Sequence, residues 1–133
     1  MSFSAAVREN DPISPEESFD LGLHYFRKAL VVLAADPEVQ CQEMGNYNVA
    51  YELHRDVLAG LRLSEVTTDQ LTDDQQKAIL HMCNSLKSIE AELLRGASMP
   101  EENLSAMNDP AWIPLRSEAA KLLSILPAST YED

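Results

Sequence analysis

The 133-residue chain is poor in glycine, cysteine, aromatic and basic residues. Its four glycines are scattered, so it lacks the glycine-rich loop whose exposed amides bind phosphate groups. Its two cysteines, Cys41 and Cys83, lack the CxxC spacing of metal and redox sites. We expect both to be free packing residues in a reducing compartment. Because only 6% of the residues are aromatic, the core is expected to be mostly aliphatic.

Basic residues are outnumbered by acidic ones, 10 against 22, which gives a formal charge of −12. A field of this sign repels phosphate backbones and anionic lipid. We therefore expect neither nucleic acid nor a membrane surface as a partner. Two interpretations of the charge stay open: an acidic surface that favours solubility, or electrostatic attraction toward a basic protein partner.

Long apolar segments are also missing. No run approaches the roughly 20 residues that a membrane-spanning helix needs. Residues 1–10 lack the basic region and apolar run of a signal peptide. These observations predict a soluble, cytoplasmic protein.

A helical period of apolar residues is present through most of the chain, and no segment alternates as a strand does. The pattern predicts an all-α fold, an antiparallel bundle of four main helices plus one short helix. Residues 14–127 are expected to form one domain. A flexible arm at 1–13 is expected before it and a frayed end at 128–133 after it.

Helix-start signals locate these helices. Residues able to cap a first turn precede the four main helices, at Ser14, Asp36, Thr72 and Asp109. The first helix is predicted over 14–35 and the second over 37–63, with Gly45-Asn46 as a point where it bends or restarts. The third is predicted to end near Gly96, and a short helix to start at residues 98–101.

The apolar period assigns a buried face to each main helix. In the first helix this face consists of Phe19, Leu23, Phe26, Leu30 and Leu33. In the second it consists of Met44, Tyr47, Tyr51, His54, Leu58 and Leu61. In the third it consists of Ile79, Met82, Cys83, Leu86, Ile89 and Leu93, and in the last of Trp112, Leu115, Ala119, Leu122 and Leu126. Gly22 lies near the first stripe and is expected to let a neighbouring helix approach closely.

The opposite face of the second helix is the candidate partner-binding surface. On a helical wheel it carries Glu38, Val49, Glu52 and Asp56. Acidic side chains around an exposed valine are what a docking surface for a basic cleft would present. The alternative is an ordinary solvated face in which Arg55 offsets Glu52 at i+3.

Candidate catalytic groups are sparse. The histidines His24, His54 and His81 have no second metal ligand at i+4, and the Glu-x-x-His pattern of di-iron bundles is missing. Glu52 and Asp56, one turn apart, are the best candidates for an acid and base pair. No GxSxG motif occurs. We therefore predict no catalytic, cofactor-binding or metal-binding residues. A metalloenzyme using His54 or His81 with acidic neighbours stays open as a third hypothesis.

Four stretches resemble a known family: KALVVLAADP at 28–37, VAYELHRDVLAG at 49–60, LKSIEAE at 86–92 and the Asn108-Asp109-Pro110 turn. They are similar to small α-helical immunity proteins of interbacterial type VI secretion toxins, in particular the family that neutralises an NAD(P)-degrading effector. The resemblance implies an inhibitor that occupies the active-site cleft of a toxin. It supplies no catalytic residues.

The leading hypothesis is therefore a non-catalytic binding protein, an immunity protein with a basic toxin or effector as its partner. A second hypothesis, of a different class, is a structural or regulatory adaptor that forms a homodimer through exposed apolar positions such as Val31 and Val49.

Overall fold

A computed structural model describes residues 14–129, which form seven α-helices and two short 3-10 helices. The α-helices are α1 (Pro15–Leu33), α2 (Pro37–Glu43), α3 (Val49–Leu58), α4 (Leu61–Glu65), α5 (Asp73–Leu86), α6 (Pro100–Met107) and α7 (Ile113–Ile125). The 3-10 helices are Ala91–Leu94 and Pro110–Trp112. No strand occurs among residues 14–129, so the predicted all-α class is confirmed. The predicted arm at 1–13 and the last four residues lie outside the described part.

Local capping chemistry sets several helix starts. The Ser14 hydroxyl accepts a hydrogen bond from the Glu17 amide at 3.1 Å at the start of α1. At α5 the Thr72 hydroxyl and the Gln75 side chain each accept from the other residue's amide, which completes a capping box. Asp36 forms no side-chain cap bond, and the break before α2 rests on Pro37.

The predicted second helix is three helices, α2, α3 and α4. The helix is interrupted between α2 and α3 because Gly45, Asn46 and Asn48 adopt positive φ angles of 76°, 56° and 47°, outside the range of a right-handed helix. The restart foreseen near Gly45-Asn46 is therefore confirmed. A single helical wheel for residues 37–63 was the wrong description.

The predicted buried face of this region was consequently wrong in part. Tyr47 and Tyr51 are exposed by 55% and 49%, although both were predicted to be buried. The buried side of α3 consists instead of Val49, Ala50, Leu53 and Val57. The phase of α3 is set by where the helix restarts, so the phase extrapolated from residue 37 does not apply.

The third predicted helix ends at Leu86, ten residues before Gly96. The Leu86 carbonyl accepts from the amide of Ile89, three residues on, and from His54 Nε2 at 2.8 Å. These bonds tighten and close the last turn. Its predicted apolar residues remain buried through Ile89, and Leu93 lies in the following 3-10 helix, half-buried.

The helices enclose one apolar core. α1 packs on α3 and α7, α5 packs on α4 and α7, and α6 packs on α2 and α3. Gln75, at the start of α5, donates to the Ile125 carbonyl at the end of α7. The antiparallel bundle of four main helices stays a prediction. No helix between residues 14 and 129 combines the length and apolar character needed to cross a membrane.

The buried side chain of Asn103 fixes the start of α3. It is 1% exposed, and its Oδ1 accepts from the Val49 amide at 2.9 Å. Its Nδ2 donates to the carbonyls of Asn46, Ala97 and Met99 at 2.8, 3.2 and 2.9 Å. One amide on α6 thus holds the backbone on both sides of the interruption before α3.

The end of the described chain also packs on α1. Ser129, predicted to lie in a frayed end, is 5% exposed, and its hydroxyl lies 3.4 Å from His24 Nδ1. Arg27 of α1 donates to the Leu126 carbonyl at 3.2 Å.

Candidate functional site

An open groove of about 830 Å³ lies along the first half of α1. Residues from Pro15 to Phe26 form one side of it. The end of α3, the start of α4 and the loop at residues 66–70 form the other. A concave surface of this size is the most common setting for a binding site, and the groove is therefore the candidate site of the protein.

The floor of the groove depends on contact between Phe26 and Gly60. Phe26 is 2% exposed, and a Cβ atom placed on Gly60 would lie 2.2 Å from Cδ1 of its ring. Only a residue without a side chain lets the aromatic ring lie this close to the backbone between α3 and α4. Gly22, predicted to permit the close approach, has room for a Cβ, whose nearest neighbour would be Leu63 Cδ2 at 3.6 Å.

The walls expose apolar side chains to solvent. Tyr25 is 60% exposed and Val66 is 39% exposed, while Phe19 is half-buried against the core. Grouped apolar surface beside a concave floor is a feature of interaction sites more than of ordinary surface.

Side-chain hydrogen bonds hold the loop of the groove. Gln76 of α5 donates to the carbonyls of Leu63 and Val66 at 2.9 and 2.8 Å. The Thr68 hydroxyl accepts from the Gln70 amide at 3.0 Å, and Leu71 is buried next to it. The loop wall is therefore fixed at both of its ends before any ligand binds.

The ionic groups of the groove are mainly acidic. Glu16, Asp56 and Asp69 line it, with Arg62 as the single basic lining residue. Arg55 contacts Asp56 Oδ1 at 3.1 Å and offsets that charge. Among residues 14–129, Glu16 and Asp69 take part in no ion pair, and both side chains are exposed.

The four predicted partner-binding residues do not form one exposed stripe. Val49 is fully buried, which corrects its assignment to an exposed face. Glu38 is exposed on a different helix, α2. Glu52 and Asp56 both contact Arg55, at 3.9 and 3.1 Å, as in the alternative interpretation of a solvated face.

The reason for this correction is the interruption before α3. The helix restarts at Val49, whose amide bonds to Asn103, and the Val49 side chain is buried on the same side as Ala50, Leu53 and Val57. Of the four residues, Asp56 alone lines the groove. Of the groove residues on α1, Phe19 and Phe26 had been predicted as core positions and Gly22 as a point of close approach. The contact between Phe26 and Gly60 has no signal in the sequence because 34 residues separate them.

The histidines and cysteines are engaged or protonated. His54 Nε2 donates to the Leu86 carbonyl, and His81 Nδ1 lies 2.6 Å from Glu118 Oε2 on α7. Burial raises the pKa of Cys83 to about 11, and burial with a smaller effect of Glu38 raises the pKa of Cys41. Both thiols are therefore poor nucleophiles near neutral pH. Within residues 14–129, no group of three or more His, Cys, Asp or Glu side chains is placed to hold a metal ion.

Comparison of the chain with protein-family models, with curated proteins and with solved structures found no match. The functional assignment therefore rests on the residues and on the groove. The resemblance to immunity proteins stays a prediction.

Proposed function

We propose that this protein is a non-catalytic binding protein whose groove along α1 receives an element of a protein partner. Most concretely, it is an immunity protein that inhibits a cognate bacterial toxin. The observation that carries the proposal is the groove itself, which combines an apolar floor, exposed apolar walls and exposed carboxylates.

The charge of the whole chain supports a basic protein as the partner. A net charge of −12 generates a negative field that accelerates encounter with a positively charged surface. The carboxylates of Glu16 and Asp69 place part of this charge at the groove. Burial of the apolar lining then supplies affinity, and the charges supply speed and selectivity of association.

The resemblance to immunity proteins makes a toxin the most concrete partner. An element of the toxin would insert into the groove, and the body of this protein would then occlude the active-site cleft beside it. Inhibition of this kind needs a stable complex and no chemistry from the inhibitor, and it takes place in the cytoplasm predicted for the chain.

Co-expression with the product of the neighbouring gene tests the proposal. We expect relief of that product's toxicity and co-elution of the two proteins in gel filtration. An unrelated toxin expressed at the same level is the control and should remain toxic. If the neighbouring product stays toxic and no complex elutes, the proposal is wrong.

Self-association is the second candidate function. Val31 is 58% exposed on α1, an apolar surface that a second copy could cover. Val49, which was paired with it in this hypothesis, is buried and contributes nothing. Light scattering across a range of concentrations tests self-association. A dimer that dissociates on Val31→Glu substitution supports a self-associating adaptor, and a monomer at every concentration excludes it.

A further inference from the structure

We infer that the occupant of the groove is an amphipathic helix with large apolar side chains on one face and Lys or Arg beside them. The inference rests on the proposed function, because it specifies what the partner inserts. It follows from three properties of the groove: its position between helices, its apolar floor and the sign of its charges.

The position of the groove favours a helix over an extended strand. Its walls are helices α1, α3 and α4 with a short loop, so no sheet edge is available for strand addition among the described residues. Helix-in-groove binding is the recognition mode that helical walls support, and it is carried by apolar anchors spaced along one face of the ligand.

The floor requires large apolar anchors. Phe26, Leu63 and the backbone of Gly60 present no side-chain donor or acceptor, and the volume of about 830 Å³ accommodates several side chains. A polar anchor placed on this floor would lose its bonds to water without replacement, at a cost of about 1 to 3 kcal/mol per group. Aliphatic or aromatic side chains incur no such penalty.

The charges require basic flanks. Glu16 stands at one side of the groove on α1 and Asp69 on the loop opposite. A ligand bound between them brings its own charges close to both carboxylates. The lining as a whole has three carboxylates against the one guanidinium of Arg62. Lys or Arg next to the anchors would therefore pair with Glu16 and Asp69, whereas Glu or Asp there would meet a net repulsion.

Synthetic peptides provide the first test. Three fluorophore-labelled peptides are titrated with the full chain: an amphipathic Leu/Lys helix, its Leu/Glu counterpart, and a Ser/Lys peptide of the same charge as the first. We expect saturable binding of the Leu/Lys peptide alone. Equal binding of the Leu/Glu peptide would overturn the charge requirement, and equal binding of the Ser/Lys peptide would overturn the apolar requirement. If none of them binds, the inference is wrong.

Substitutions then locate the binding to the groove. Ala59 is exposed, lines the groove and has ordinary helical backbone angles, so Ala59→Phe fills the groove without disturbing the core. We expect it to weaken binding about tenfold or more, as loss of a buried anchor does. Ala120→Phe, at an exposed position of α7 outside the groove, is the matched control and should bind as the unmodified protein does. Equal affinities for the two variants would place the peptide elsewhere.

Charge substitutions measure the contribution of the rim, by which we mean the exposed carboxylates of Glu16 and Asp69 that line the groove. Glu16→Gln and Asp69→Asn should each weaken binding about two- to fivefold, with a smaller effect at high salt, because both carboxylates are exposed. Glu101→Gln removes an exposed carboxylate from the first turn of α6, outside the groove, and should leave the affinity unchanged. A uniform effect of all three would show attraction by net charge alone and overturn the role of the rim.

The failure of this inference is distinguishable from failure of the proposed function. If the complex with the neighbouring gene product forms equally well with Ala59→Phe, the groove is not the docking site although the protein is an inhibitor. If the Leu/Lys peptide binds in the groove while no such complex forms, the groove inference stands and the immunity function does not.

Discussion

Removal of the Asn103 side chain tests whether its hydrogen bonds stabilise the start of α3. Asn103→Ala eliminates the bond to the Val49 amide and those to the carbonyls of Asn46, Ala97 and Met99. Two of the three carbonyls keep another bond: the Ala97 carbonyl accepts from the Asn48 amide at 2.8 Å, and the Met99 carbonyl accepts from the Asn103 amide at 3.1 Å. The buried Val49 amide has no such replacement.

The magnitude follows from that amide. Val49 is fully buried, so water cannot take the place of the lost acceptor. A buried donor without a partner costs about 1 to 3 kcal/mol, and the lost bonds of the carbonyls add to it. We expect Asn103→Ala to lower the free energy of unfolding by about 2 to 4 kcal/mol. A change of this size is a large fraction of the stability of a single domain.

Urea denaturation followed by circular dichroism measures this change as a shift of the midpoint at constant slope. Asn108→Ala is the matched control: Asn108 follows the same helix, is exposed, and makes one side-chain bond, to the Leu104 carbonyl at 3.0 Å. We expect the control to cost less than about 1 kcal/mol. If the two variants lose the same stability, Asn103 does not hold α3 in the way inferred.

Four further predictions concern glycine packing and the buried thiols. Gly60→Ala should lower the free energy of unfolding by about 1 to 3 kcal/mol, because its Cβ would overlap the buried Phe26 ring. Gly22→Ala should instead raise the free energy of unfolding by up to about 1 kcal/mol, since α1 has room for the methyl group and alanine favours helix. The urea midpoints of the two glycine variants should therefore shift in opposite directions from that of the unmodified protein, and an equal loss of stability in both would contradict these predictions. Cys41 and Cys83 should stay unlabelled by a thiol reagent at neutral pH until urea unfolds the chain, so that rapid labelling in the folded state would refute their burial. The Cys83 thiol has a pKa of about 11 in the folded chain and 9.0 in the unfolded chain, so its contribution to the free energy of unfolding is present below pH 9 and is lost as the pH rises to 11. The free energy of unfolding, measured against pH, should therefore fall less steeply between pH 9 and 11 in Cys83→Ala than in the unmodified protein. Equal slopes for the two proteins would contradict this prediction.

Helix starts could be predicted from the sequence because their chemistry is local. The bonds of Ser14 and Thr72 join residues three apart. Asp109, predicted to open the last main helix, instead caps the 3-10 helix Pro110–Trp112 through a bond from the Ala111 amide at 3.0 Å, and α7 begins at Ile113. The apolar stripes of α1, α5 and α7 were correct for the same reason: within one uninterrupted helix, spacing alone determines which residues share a face.

The candidate site could not be predicted in this way. Its floor joins Phe26 to Gly60, and its loop wall is held by Gln76 of α5. Neither contact has a sequence signature, because the partners belong to different helices. The predicted acidic stripe was incorrect for a related reason, since it extended one helical phase across an interruption and so assigned the buried Val49 to the surface.

The sequence by itself therefore determined the all-helical class, where most of the helices begin, and which residues of the continuous helices enter the core. It did so because capping and amphipathic spacing act over a few residues. Only the tertiary structure decided the rotation of α3 and the existence of the groove. Both depend on contacts between residues far apart in the chain: Asn103 bonds to the Val49 amide at the start of α3, and Phe26 packs against Gly60 at the floor of the groove.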